Sequence, residues 1–172
     1  MTALYLALAF LLLALALFWL SSRQRRAAGL PGGRVIYTDT RNWGAVEKPL
    51  HDPNLGLTGK PDYLVKQGGR IIPVEVKSGR TPDAAYDSHI FQLAAYCLLV
   101  HKTLGKRPPY GIIHYPGRDF AIDYTPELEA VLLDNLVNMR RDEHRASVGR
   151  SHEEAHRCAR CGFRNVCDQR LS

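Results

Sequence analysis

A mixed α/β domain is the fold class this sequence predicts, and three observations carry it. Apolar residues fall into short β-branched stretches, then a helical repeat, then short stretches and a helical repeat again, the order strands, helix, strands, helix. The Gly68-Gly69 pair separates two of those stretches and supplies the positive φ angles that a two-residue hairpin turn needs. Thr125-Pro126, followed by Glu127 and Glu129, reads as the capped start of a second long helix. The expectation is a small mixed sheet flanked by helices.

Along the chain, Ala3 to Leu20 form an apolar run without a charge, ending in Phe18-Trp19-Leu20 and followed by Arg23, Arg25 and Arg26. At ~1.5 Å per residue such a run crosses a hydrocarbon core of ~30 Å, and Trp19 stands where an interfacial aromatic belongs. No positive stretch precedes the run and no clear small-x-small cleavage site follows it, which argues against a cleavable signal peptide. The sequence therefore predicts a single-pass transmembrane anchor over residues 1–22, with the arginines holding the remainder on the cytoplasmic side of the inner membrane. Residues 23–34, rich in Arg, Ala and Gly, read as a juxtamembrane linker. The formal charge of +6 favours polyanionic partners, DNA or an anionic leaflet, although part of it lies beside the anchor.

The main domain is expected over residues 35–150. Short strands are expected at Val35 to Thr38 and Ala45 to Glu47, then the hairpin arms Gly59 to Val65 and Ile71 to Lys77. A helix follows from Asp87 or Ser88, either a competent N-cap, to Leu104 before Gly105. Ile90, Leu93, Ala94, Cys97 and His101 share one face of it, and His89, Gln92 and Tyr96 the adjacent face. Beyond it come a strand at Tyr110 to Tyr115, a turn at Pro116 to Asp119 and a strand at Phe120 to Tyr124. The second helix would bury Leu128, Val131, Leu132, Leu136 and Met139.

The hairpin holds the chemistry. With Gly68-Gly69 as the turn, Gln67 pairs with Arg70, and counting back along both arms sets Asp62 opposite Glu75. Opposed side chains lie roughly 4.5–5.5 Å apart at Cβ, where two carboxylates repel unless a positive group stands between them. Lys77 shares the Glu75 face, while Val74 and Val76 are expected to point into a core. Two carboxylates suited to Mg²⁺ or Mn²⁺, with a lysine to steady an attacking water, are the equipment of metal-assisted phosphodiester hydrolysis. Glu47 and His51 are further candidates for the metal site. Gly59-x-x-Asp62 followed by Glu75-x-Lys77 resembles the PD-(D/E)XK nuclease superfamily, which implies a restriction-endonuclease-like core. Gln92 and Tyr96, at i and i+4, reach over one cleft, and resemble the Gln-x-x-x-Tyr motif with which RecB-like nucleases position DNA and the catalytic group.

The tail, residues 151–172, carries Cys158-x2-Cys161-x5-Cys167. Three thiols at this density in a reducing compartment read as a thiolate-bound metal centre, and the spacing accepts either zinc or an iron–sulfur cluster. With the motifs before it, the tail resembles that of RecB-like exonucleases associated with CRISPR adaptation, a likeness that covers roughly Leu57 to Cys167 and implies a [4Fe-4S] cluster. The family's fourth cysteine lies upstream of the core, whereas no cysteine precedes Cys97 here. His156 or His152 is the expected substitute, and Cys97 is read as a core residue. The reading is a membrane-anchored, metal-dependent deoxyribonuclease with Asp62, Glu75, Lys77, Gln92 and Tyr96 as its working residues. The alternative is a non-catalytic, membrane-held module that binds nucleic acid or a partner, its tail stabilised by zinc or an iron–sulfur cluster.

Overall fold

The computed structural model describes residues 10–13, 34–36 and 43–171. The expected anchor lies outside the described residues except for 10–13, which are helical, as does the linker over 23–33. Among the described residues no helix is long and apolar enough to cross a membrane. The chain divides into two compact units, Met1–Asp134 and Asn135–Ser172.

In the first unit, six strands form one sheet: β1 (Arg34–Ile36), β2 (Trp43–Ala45), β5 (Tyr63–Gln67), β6 (Arg70–Val76), β7 (Tyr110–Tyr115) and β8 (Arg118–Asp123), in the order β1-β8-β7-β6-β5-β2. The short strands β3 (Leu50–Asp52) and β4 (Leu57–Gly59) pair separately. Only β6 and β7 run parallel among these pairs, and the segment joining them carries helix α1 (Asp87–Leu104). That crossover makes the sheet mixed. Gly68 and Gly69 turn the β5–β6 hairpin at φ 54° and 76°, and Gln67 pairs with Arg70 as the sequence predicts.

Ile72, Val74 and Ile112 form a buried cluster on one face of the central strands, with Tyr63, Val65 and Tyr110 packed against it. Ile90, Leu93, Ala94 and Cys97 of α1 are buried as their shared face requires. Leu93 sits where a Cβ on Gly111 would come within 2.6 Å of its Cγ, so the glycine in β7 sets how closely helix and sheet approach. Helix α2 (Pro126–Glu143) begins as its sequence requires, the Leu128 N–H donating to Thr125 Oγ1 at 3.2 Å.

Some expectations are corrected. Val76 is 37% exposed, because it is the last residue of β6 and the core ends at Val74. Tyr86, not Asp87 or Ser88, caps α1, without a side-chain bond, so Asp87 falls in the first turn, where its charge suits the helix dipole. The β7–β8 turn is confined to Pro116-Gly117, with Gly117 at φ 80°, and the strand after it begins two residues earlier than expected. Along α2 only Leu128 and Leu132 are buried, and Met139 is 61% exposed.

The second unit contains the end of α2, the single-turn helix α3 (Ala155–Ala159) and a series of turns. Arg150 and Gln169 clasp it: the Arg150 N–H donates to Gln169 Oε1 at 2.8 Å, and Gln169 Nε2 donates to the Val148 carbonyl at 3.1 Å.

Candidate active site

The hairpin, the strand that follows its turn and the first face of α1 converge on one polar cluster in the first unit. Asp62 stands one residue before β5, so continuing the ladder beyond Tyr63 and Val74 sets it across from Glu75. Asp62 Oδ2 accepts a hydrogen bond from the Val76 N–H at 2.8 Å, which ties the carboxylate to the opposite strand. Glu75 is 7% exposed although it is an acid, and its position next to Val74 on the strand turns it to the face opposite the apolar cluster.

Lys77 and Gln92 close around it. Lys77 Nζ lies 2.9 Å from Glu75 Oε1 and 2.7 Å from Gln92 Oε1. Gln92 Nε2 donates to the same Glu75 oxygen at 2.9 Å and to the Tyr96 hydroxyl at 2.9 Å. The amide orientation is therefore forced: its oxygen meets the ammonium and its nitrogen meets the two acceptors. Gln92 and Tyr96 do lie one above the other along the helix, as i and i+4 dictate.

The electrostatics balance burial against charge. Burial pushes the Glu75 carboxyl above the ordinary carboxylate value, the bonded Lys77 ammonium pulls it back, and Asp62 raises it again. Burial also raises Tyr96, with the Glu75 and Asp62 charges adding to it and the Gln92 bond opposing it, so the phenol keeps its proton. The nearness of the Asp62 charge is one of the causes that raise Glu75.

Asp62 and Glu75 offer hard oxygen donors, the ligands that Mg²⁺ and Mn²⁺ prefer, and Mg²⁺ needs only one or two protein carboxylates because it retains waters and takes substrate phosphate oxygens. The donor set fits such an ion. Among the described residues there is no group of three or more His, Cys, Asp and Glu side chains that could hold a metal ion. The two further candidates do not supplement the pair: His51 Nδ1 bonds Thr58 Oγ1 at 2.8 Å on an exposed surface, and Glu47 is exposed, with no described contact to Asp62 or Glu75.

One pair beside the cluster was not singled out from sequence. His89 Nδ1 lies 2.6 Å from the Tyr115 hydroxyl. Its only signal in the chain is position, three residues before Gln92 on the same helical face.

In the second unit the thiols of Cys158, Cys161 and Cys167 are all free. Cys158 is buried and its Sγ accepts the Leu171 N–H at 3.4 Å, while Cys161 is exposed. The donor chemistry suits a soft metal centre. His156, with its side chain 79% exposed and Nε2 3.7 Å from Glu154, is not engaged by the cysteines, and His152 Nδ1 accepts the Glu154 N–H at 3.4 Å. Cys97 belongs to the other unit, fully buried in α1, where burial raises its thiol far above the ordinary range and so disfavours the thiolate a metal needs.

A sheet crossed once by a parallel step, with opposed carboxylates and a lysine at the end of the hairpin's second arm, defines a nuclease-type core, and the chain belongs to the PD-(D/E)XK nuclease superfamily, whose pattern matches residues 5–168. It is similar to a CRISPR-associated exonuclease Cas4 of Francisella tularensis subsp. novicida (strain U112), at 25% identity over 114 residues, 66% of this chain and 57% of that protein. The chain thus spans little more than half the length of that relative. Among solved structures, it resembles one titled "Crystal structure of SSO0001" at 16% identity and a TM-score of 0.46, over 94% of this chain and 71% of the other.

Proposed function

We propose that this chain is a metal-dependent deoxyribonuclease of RecB-like type that hydrolyses phosphodiester bonds as an exonuclease, the activity named for its Cas4 relative. The observation that carries the proposal is the Lys77 ammonium held between Glu75 and Gln92 at 2.9 and 2.7 Å, with Asp62 just before the facing strand and bonded to the Val76 N–H. Asp62 and Glu75 would hold Mg²⁺ or Mn²⁺. Such an ion supplies an acidified water and neutralises charge on the phosphate.

The chain's own residues do the remainder. Lys77 donates to the water that attacks, or to the phosphate oxygen on which charge develops, at a position fixed before substrate arrives. Gln92 keeps the lysine and Glu75 in register through one amide, and Tyr96 fixes that amide from the far side. The buried position of Glu75 excludes bulk water from the carboxylate and strengthens each of these interactions.

The tail cysteines Cys158, Cys161 and Cys167 would hold an iron–sulfur cluster in a structural role, with zinc the competing occupant. Phe163 and Val166, among the few apolar residues of this segment, are 76% and 81% exposed, so hydrophobic burial there does not fix the tail and metal binding would. The apolar run Ala3 to Leu20 would tether the protein to a membrane.

The decisive experiment is cleavage of labelled DNA with Mg²⁺, with Mn²⁺ and with EDTA, comparing wild type with Asp62→Ala and Glu75→Ala. Cleavage that needs the ion and disappears in both variants supports the assignment. Cleavage that persists in both overturns it.

A further inference from the structure

The parallel pairing of β6 and β7 brings a second set of side chains to the Lys77 end of the active site. The Lys77 N–H bonds the His114 carbonyl at 2.8 Å, so Tyr115, next along β7, stands beside the C-terminal end of β6. In sheets with a parallel crossover, ligands bind outside the carboxyl ends of such strands. Tyr115 is buried, its ring edge-on to Phe120.

That hydroxyl meets one ring nitrogen of α1. The Tyr115 oxygen and His89 Nδ1 lie 2.6 Å apart, and with the imidazole proton on Nε2 the hydroxyl is the donor between them. An imidazole that accepts at Nδ1 carries its own N–H at Nε2. Among the described residues Nε2 has no hydrogen-bond partner. Burial and the nearby Lys77 charge both hold His89 below its ordinary value, so the ring is neutral and remains an N–H donor.

Tyr86 completes the arrangement. Its ring meets the His89 ring edge-on at a centroid distance of 5.4 Å, and it is 53% exposed. The loop leading to it is held in place, since Thr81 Oγ1 donates to the Pro116 carbonyl at 2.5 Å and the Arg118 guanidinium lies 3.4 Å from the carbonyls of Pro82 and Asp83. An exposed aromatic on a pinned loop, next to a neutral donor and an active-site lysine, has the components that bind a single strand: a face for an unpaired base and a donor for a phosphate.

We propose that His89 and Tyr86 form a subsite for one nucleotide of single-stranded DNA adjoining the scissile phosphate, the imidazole donating from Nε2 to a backbone phosphate and the Tyr86 ring stacking an unpaired base. This rests on the nuclease reading for its place beside the scissile bond. A base paired in a duplex has no free face to offer, so the subsite favours single strands.

The test is fluorescence anisotropy of a labelled single-stranded oligonucleotide and of its duplex, titrated with the full chain in EDTA, where turnover is blocked. His89→Ala and Tyr86→Ala are each expected to weaken single-strand binding about tenfold, the loss of one bond to a charged group or of one stacked base. His89→Gln, which keeps an N–H donor, and Tyr86→Phe, which keeps the ring, are expected to retain most of the affinity, and thermal melting of each variant monitors folding. Unchanged single-strand affinity in both alanine variants overturns the proposal, as does an equal loss on the duplex from Tyr86→Ala. The same preparations assayed with Mg²⁺ or Mn²⁺ separate the two readings. Wild type that binds through His89 and Tyr86 but never cleaves refutes the nuclease alone, and wild type that cleaves while both variants bind normally refutes the subsite alone.

Discussion

Gly59 lies against the ring of Tyr96: a Cβ at position 59 would stand 2.8 Å from Tyr96 Cε1 and 2.9 Å from a methyl of Leu99. The glycine that precedes Asp62 by three residues is thus a spacer, letting β4 approach the helix whose tyrosine fixes Gln92. Gly59→Ala is expected to cost about 1–3 kcal/mol, the usual penalty of overpacking, and to lower turnover further by displacing Tyr96. A thermal melt and a single-turnover assay on the same sample check both parts.

Lys77→Ala removes a donor that no metal uses. Turnover is expected to fall about 10²–10³-fold, as when one preorganised donor to developing charge is deleted. Mg²⁺ affinity measured by calorimetry is expected to change little, because an ammonium donates but cannot ligate. A large loss of metal affinity would assign the lysine a different role.

Glu75 gives a pH-dependent stability with a definite sign. Its carboxyl in the folded, metal-free protein titrates above the ordinary 4.5, chiefly through burial. The stability contributed by the neutral form is fully present below that ordinary value and is lost as pH rises through the raised one. Glu75→Gln keeps the shape without the charge, so in EDTA at neutral pH it should melt above wild type, with the difference closing in acid. Added Mg²⁺ should raise the melting temperature of wild type more than that of the variant, since binding to the native state alone is stabilising.

In the tail, Cys161→Ser is expected to abolish the visible absorption near 400 nm of anaerobically prepared protein and to expose residues 151–172 to protease. Cys97→Ala should retain the absorption, because a thiol buried in the α1 core is unsuited to ligation. Bleaching by Cys97→Ala would identify it as a ligand. Stoichiometric zinc without iron would replace the cluster and leave the need for a metal intact.

The hairpin was legible because Gly68 and Gly69 allow only one register, and that register carries Asp62 and Glu75 to facing positions without further information. The helix face was legible for the same kind of reason: a spacing of four puts Gln92 and Tyr96 in line wherever the helix packs. What escaped depended on contacts distant in sequence or on elements too short to show a period. Strands β3 and β4 have three residues each, too few for alternation to register. Tyr86 became the α1 cap because the His89 and Ile90 N–H groups both bond its carbonyl, which overrode the capping preference of Asp87 and Ser88. The His89–Tyr115 bond exists only because β7 lies parallel beside β6, a pairing that neither residue announces.

Asp62, Glu75, Lys77, Gln92 and Tyr96 all belong to the unbroken stretch β5–β6–α1 and its immediate approach, with Gly59 at one end and Tyr96 at the other. Every side chain of the constellation is therefore placed by one contiguous run of chain, and the stretch from Gly59 to Tyr96 carries all of them. What that run lacks is the surface it folds against: β7 supplies Gly111, which sets how closely α1 approaches, and the His114 carbonyl that holds the Lys77 N–H.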